Sequence, residues 1–216
     1  VFEPTETEIV KEYVKPGSCC LDIGANVGYY SVLMAELGAY VDAFEPEPTN
    51  YEVLVQNVLP YDKVNPYNYA VSEKEETAKL YPARIGQENI NHGMHRMYPS
   101  YWCNEKPIDV KTMAIDSMEK QHVDFVKIDV EGWEYRVLVG MMDTIERCKP
   151  TMMVEFHPPT LKEADTNPRQ LFNLLTSYGY DVYLIPDLKN IISSDNLIQE
   201  TRGMSGRNIL CLYASK

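Results

Sequence analysis

The residues richest in potential chemistry run Leu21-Asp22-Ile23-Gly24-Ala25-Asn26-Val27-Gly28-Tyr29-Tyr30-Ser31. Two glycines between an apolar run and a helical one let the backbone turn sharply and approach a ligand. Asp22, closing the apolar run, is suited to receive a cationic amine. Phe44-Glu45-Pro46 ends the next apolar run, about 20 residues on, the offset at which a carboxylate accepts from the hydroxyls of an unphosphorylated ribose. With only Gly24 and Gly28, and Asn26 between them, the turn departs from the three-glycine dinucleotide fingerprint. The strand-glycine-acid order alone still leaves a nicotinamide dehydrogenase open. A second set lies downstream, where Asp129 and Glu131 close one apolar run and Glu155 and His157 close another. Carboxylates and an imidazole at strand tips can align an acceptor and remove its proton, and His157 has the most suitable ordinary pKa. Asp129 is the second candidate base, or a group that orients the acceptor or the amine, and Glu155 is a candidate to orient His157. Glu155 and His157 share a face if the strand reaches that far. Asp129, Glu155 and His157 could collect Mg²⁺, but without diagnostic ligand spacing no metal is expected.

These residues need a sheet to hold them. Apolar runs at 18–23, 40–44, 67–71, 123–130, 151–156, 180–185 and 208–214 read as strands. Between them, helical periodicity covers 28–37, the face Tyr51, Leu54, Val55, Val58 and Leu59, and the face Trp133, Val137, Leu138, Met141 and Met142. A further helix opens on Asn167-Pro168 and stops at Gly179, and an earlier one carries Ile9, Val10, Tyr13 and Val14 before Pro16-Gly17. Strands alternating with single helices predict an α/β fold: a Rossmann-like, doubly wound, mostly parallel seven-stranded sheet, helices on both faces, the last strand antiparallel.

Two stretches break this rhythm within a single domain spanning 1–216. Residues 82–107 hold Arg84, His92, His95, Arg96, Tyr98, Tyr101 and Trp102 with no period, and 187–207 is polar and irregular. Both read as lids or binding loops. His92, His95, Tyr98 and Trp102, with Glu131, are the candidate contacts to an acceptor, since tyrosine offers a ring face and a polar tip. Asn65-Pro66-Tyr67 reads as a turn ahead of a strand.

A formal charge of -12 and the absence of a Lys/Arg run make nucleic acid an unlikely partner. Five scattered cysteines give no disulfide framework and match a reducing, cytoplasmic setting. No run is long enough to span a bilayer, so no membrane insertion is expected. The chain opens on Val1, which leaves room for a larger parent. Nothing in the pattern points to an oligomeric state.

The sequence resembles the FkbM family of S-adenosylmethionine-dependent methyltransferases. The matching blocks are Leu21 to Ser31, Phe44-Glu45-Pro46, Asn68-Tyr69-Ala70-Val71-Ser72, Lys127-Ile128-Asp129-Val130-Glu131-Gly132-Trp133-Glu134 and Val154-Glu155-Phe156-His157, in the family's order. The resemblance implies S-adenosyl-L-methionine as cofactor. Asp22, Gly24, Ala25, Asn26 and Gly28 would line its methionine end, joined by Asp129, with Ser31 adding a hydrogen bond. Glu45 and Pro46 would hold the ribose, and Asn68, Ala70 and Val71 would lie against adenine. It also implies a small-molecule or glycan hydroxyl as acceptor. A cofactor-binding module without transferase activity is the alternative in another class. A nucleobase methyltransferase is disfavoured by charge and by the missing amine-holding motif at Asp129-Val130-Glu131-Gly132.

Overall fold

The computed structural model describes residues 2–83, 94–101, 103, 105–118, 122–203 and 206–214. Its first half runs α1 (Pro4–Tyr13), β1 (Cys19–Ile23), α2 (Tyr29–Glu36), β2 (Tyr40–Phe44), α3 (Pro48–Val58) and β3 (Val64–Tyr67). After an excursion the rhythm resumes with β7 (Phe125–Ile128), α4 (Glu134–Val139), α5 (Met142–Cys148), β8 (Thr151–Phe156), α6 (Pro158–Glu163), α7 (Pro168–Ser177) and β9 (Tyr180–Leu184). The chain then forms β10 (Lys189–Ile191), α8 (Ser194–Glu200) and β11 (Arg207–Tyr213). Among the described residues these strands build one sheet in the order β10-β9-β11-β8-β7-β1-β2-β3. Neighbours from β8 through β3 pair in parallel. β11 runs antiparallel to both β8 and β9, as expected of the last strand.

Two apolar layers cover the sheet. Leu21, Ile23, Val126, Ile128, Met152 and Val154 face the side that packs α7 and α8. Cys20, Phe125 and Met153 face the opposite side, against Val10, Tyr30, Met34 and Leu54 of the first three helices. Strand alternation therefore sends Asp22, Lys127 and Glu155 to the second side, near the carboxyl ends of their strands. There the apolar layer gives way to polar groups.

The structure corrects the sequence reading in several places. The main sheet has eight strands rather than seven, the extra one being β10. Its three residues sit at the sheet edge with only Ile191 buried, too short a run to show a period. The rest of 187–207 is not a plain loop either, because α8 is N-capped by the Ser193 side chain. Leu197 of that helix is 0% exposed inside the core. Leu197→Ala should lower stability by about 2–5 kcal/mol, read as a reduced denaturation midpoint; a surface-like cost would mean that α8 is not part of the core.

Asn65-Pro66-Tyr67 is strand, not turn: it lies in β3, whose only ladder partner among the described residues is β2. Proline is tolerated there because an edge strand needs no second ladder. The stretch 67–71 is divided, since Ala70–Val71 forms β4 of a separate sheet ordered β4-β6-β5, with β5 spanning Glu76–Leu80 and β6 Ile108–Met113. The apolar run 133–142 forms two helices rather than one. α7 starts as expected, with Asn167 and Gln170 forming a capping box.

Candidate active site

The chain leaves β1 toward β2 and β3, then returns to place β7 on the other side of β1. Ligands of open α/β sheets bind at such a switch point, beyond the carboxyl ends of the strands. A cavity of about 1060 Å³ opens there. Its floor is the turn after β1 and the tips of β7 and β8. Phe2 and Glu3 ahead of α1, Tyr69 to Val71, Leu80 and Met94 to Met97 supply the walls.

One half of the cavity is built around two buried acids. Asp22 is 1% exposed, and its Oδ2 accepts from Ser31 Oγ at 2.6 Å. Its Oδ1 is buried without a hydrogen-bond partner. Burial raises the pKa of Asp22, an effect opposed by the Lys127 ammonium and the Ser31 hydroxyl. An unpaired buried acceptor on a cavity wall is costly unless a donor arrives, and an ammonium is such a donor. The second acid, Glu45, is 5% exposed. Its Oε2 accepts from Asn26 N and its Oε1 from Glu47 N, both at 2.9 Å. Burial pushes its pKa up to about 7 against those two donors. Each oxygen keeps a further lone pair that can accept from a hydroxyl donor.

Asp22, Gly24, Ala25, Asn26, Glu45, Pro46, Ala70, Val71 and Asp129 all line the cavity. Gly28, Ser31 and Asn68 do not. Gly28 is the N-cap of α2 and faces Leu54 of α3. Ser31 acts on the cavity only through Asp22. Asn68 turns away, donating to the carbonyls of Glu45 and Pro46 at 2.9 and 3.1 Å; it fixes the turn that presents Glu45. Asn26 has φ 52°, in the left-handed region that asparagine tolerates better than most residues.

The other half collects acids. Asp129, Glu131 and Glu155 each bring a carboxylate oxygen to within 4.8 Å of the others. Asp129 Oδ2 also receives Lys127 Nζ at 3.0 Å. Burial and then Asp129 raise Glu131 to about 8. Burial, then Asp129, Glu131 and Glu134, raise Glu155 well above the ordinary carboxylate range. Three crowded carboxylates hold protons rather than all ionise. As an oxygen-only set they could hold a hard cation such as Mg²⁺. His157 is not part of this trio, in contrast to the grouping drawn from sequence.

His157 follows the last residue of β8 in extended geometry and occupies the N-cap position of α6 without a side-chain capping bond. It shares the cavity with Glu155, yet no hydrogen bond joins the two, so Glu155 does not orient the imidazole. Burial and the Arg96 guanidinium both lower the His157 pKa. Glu131 sits at φ 52°, and Glu134 pins that turn by accepting from Gly132 N at 2.9 Å. Glu134 opens α4, as expected of an acid at a helix start.

Of the predicted acceptor contacts, His95 and Glu131 line the cavity. Tyr98 stands behind it, its hydroxyl donating to the Glu131 carbonyl at 2.7 Å. His92 and Trp102 lie outside the described residues. Two cavity cations carried no assigned role in the sequence reading. Lys127 had a signal, being polar inside the apolar strand Phe125-Val126-Lys127-Ile128. Arg96, 3% exposed, had none, because its partner Glu163, at 2.7 Å, lies 67 residues away.

The model of the methyltransferase FkbM domain matches residues 22–182, which include every cavity acid except Glu3. The chain belongs to the FkbM methyltransferase family. This FkbM-family domain is 23% identical over 210 residues to the 2-O-methyltransferase NoeI of Sinorhizobium fredii, covering 90% of the chain and 84% of NoeI. It is 28% identical over 160 residues to the hexuronic acid methyltransferase AglP of Haloferax volcanii, covering 72% of the chain and 60% of AglP. Among solved structures, a methyltransferase FkbM from Methylobacillus flagellatus superposes with TM-score 0.56 at 16% identity, over 96% of this chain and 50% of that one. A methyltransferase-like protein of Streptococcus mutans in complex with S-adenosylhomocysteine gives 0.55 at 10% identity, over 96% and 95%. The FkbM domain thus has the Rossmann-like fold of these neighbours. Among its described residues no helix is long and apolar enough to cross a membrane.

Proposed function

We propose that the domain binds S-adenosylmethionine and transfers its methyl group to a hydroxyl of a sugar, glycan or natural-product small molecule. The supporting observation is the pairing, in one cavity, of the unpartnered Asp22 Oδ1 with the buried Glu45 carboxylate. The first suits an ammonium and the second a ribose, at opposite sides of a glycine turn. The names of NoeI and AglP, a 2-O-methyltransferase and a hexuronic acid methyltransferase, support a sugar acceptor. Among the described residues no disulfide joins any of the five cysteines, which suits the cytoplasmic setting we propose.

When bound, the cofactor supplies an activated methyl group with an excellent leaving group. The protein's task is to align the acceptor and take its proton. His157 takes the hydroxyl proton as the oxygen attacks. Glu131, which holds its proton at neutral pH, donates a hydrogen bond to an acceptor oxygen, while Asp129 and Glu155 stand beside it to fix the acceptor's orientation.

Calorimetry with S-adenosylhomocysteine, followed by labelled-methyl transfer to a panel of sugars, tests the reading. Binding without any transfer would instead favour a non-catalytic module. Glu45→Ala should weaken S-adenosylhomocysteine about 10–100-fold, the worth of hydrogen bonds to a charged group. Ribose hydroxyls donate to the ionised carboxylate, so wild-type affinity should be full above about 7 and fall as pH drops through the Glu45 pKa. Glu45→Gln should abolish that dependence. Unchanged affinity in Glu45→Ala would remove the ribose contact.

A further inference from the structure

We propose that Lys127 holds the carboxylate of the bound amino-acid cofactor, forming with Asp22 a two-part site for a zwitterion. The inference rests on the proposed use of S-adenosylmethionine, whose methionine end carries an ammonium and a carboxylate on one carbon. The groups that receive them must therefore be neighbours, of opposite charge, and face the same space.

Asp22 and Lys127 meet this condition by register. They are direct partners on the parallel pair β1 and β7, on strands about 4.8 Å apart, and both line the cavity. Both are buried, at 1% and 3% exposure. Asp22 Oδ1 lacks a partner. The Lys127 ammonium gives one hydrogen bond, to Asp129 Oδ2 at 3.0 Å, and stands 4.8 Å from the centre of the Tyr30 ring. An ammonium has three donors, so two remain after Asp129. A lysine is almost never buried unless paired, and a spare acceptor beside spare donors is the complement of an amino acid's own charges.

Charge balance in the cavity points the same way. Glu3, Asp22, Glu45, Asp129, Glu131 and Glu155 line it, against two cations among the described residues, Lys127 and Arg96. A carboxylate entering this acid-rich space needs a cation. Arg96 Nη1 is already bonded to Ser100 Oγ at 2.6 Å and Glu163 Oε2 at 2.7 Å, and Nη2 stands 3.8 Å from Glu131. Lys127 is the cation beside the ammonium acceptor.

The test compares two probes by calorimetry: S-adenosylhomocysteine, and S-adenosyl-3-thiopropylamine, which lacks only the carboxylate. Wild type should prefer the first by at least about 10-fold, as expected for a charge-assisted contact. Lys127→Met should bind S-adenosylhomocysteine about 10–100-fold more weakly while changing the amine by less than about 3-fold, erasing the preference. Lys127→Arg should restore part of it. Equal loss for both probes would make Lys127 a structural counter-ion to Asp129 and overturn the proposal. So would loss of the preference in Arg96→Met but not in Lys127→Met. If Lys127→Met does not fold, the wild-type comparison still decides: equal affinities for the two probes overturn it. Wild type binding neither probe would overturn the cofactor reading itself, a separate result.

Discussion

His157→Ala is expected to lower turnover about 10²–10⁴-fold, the range of general-base catalysis, with S-adenosylhomocysteine affinity near normal. The expectation follows from which cavity groups are free to accept a proton. Glu131, pushed up to about 8, holds its proton at neutral pH, Glu155 is displaced upward by burial and the neighbouring acids, and Asp129 is engaged by the Lys127 ammonium. His157 is displaced the other way, so its imidazole is neutral at neutral pH. It follows β8, two strands from β1 and three from β2, whose ends carry Asp22 and Glu45, a position that suits an acceptor rather than the cofactor. The pH profile supplies a second readout. Wild-type turnover should rise as the imidazole loses its proton, with a midpoint below the ordinary 6.5. It should change again near 8 as Glu131 ionises and ceases to donate. The lower limb should vanish in His157→Ala, and chelators should leave wild-type turnover unchanged. Turnover equal to wild type in His157→Ala would strip the residue of this role.

The parts of this site that could be read in advance are those that depend on short-range order. Asp22 and Glu45 stand at the ends of apolar runs with a glycine turn between them, and a strand, turn and helix in sequence leave little freedom for where they point. The same logic located Asp129, Glu155 and His157. What escaped were contacts made across the chain. Arg96 meets Glu163 from 67 positions away, and no local pattern encodes such a pairing. β5 and β6 escaped for a different reason. Only Leu80 of β5 is buried, and only Val110 and Thr112 of β6, so their alternation carries little apolar signal. α6 begins at Pro158-Pro159, residues that fit the first turn of a helix as readily as a break. Gly28 and Asn68 show the limit of motif reading. Each lies in a block shared with the family, yet each shapes the turn behind the cavity rather than its surface. A residue can be required by a binding site without touching what is bound.

Gly24→Ala should disrupt both the fold and the cofactor turn. A Cβ at Gly24 would fall 1.8 Å from the Asp129 carbonyl oxygen. Because that obstacle is backbone, no side chain can swing aside, and the tips of β1 and β7 would have to part. Those tips are joined there by the Asp129 N–H donating to Ile23 O at 3.0 Å. Parting them moves Asp22 and Asp129 together, so stability and cofactor binding should fail as one. A cost of about 4 kcal/mol or more is expected, in the range reserved for core overpacking combined with backbone strain. For a domain of this size that corresponds to a midpoint lower by roughly 8–16 °C. Part of the cost belongs to φ +82° rather than to the clash, and Gly17 separates the two. Gly17 has φ +88° with nothing within 4 Å of its Cβ position. Gly17→Ala should therefore cost only about 1–2 kcal/mol, that of a left-handed alanine, and leave S-adenosylhomocysteine binding intact. If Gly24→Ala cost no more than Gly17→Ala, the close approach of β1 to β7 would not be what shapes the cofactor turn.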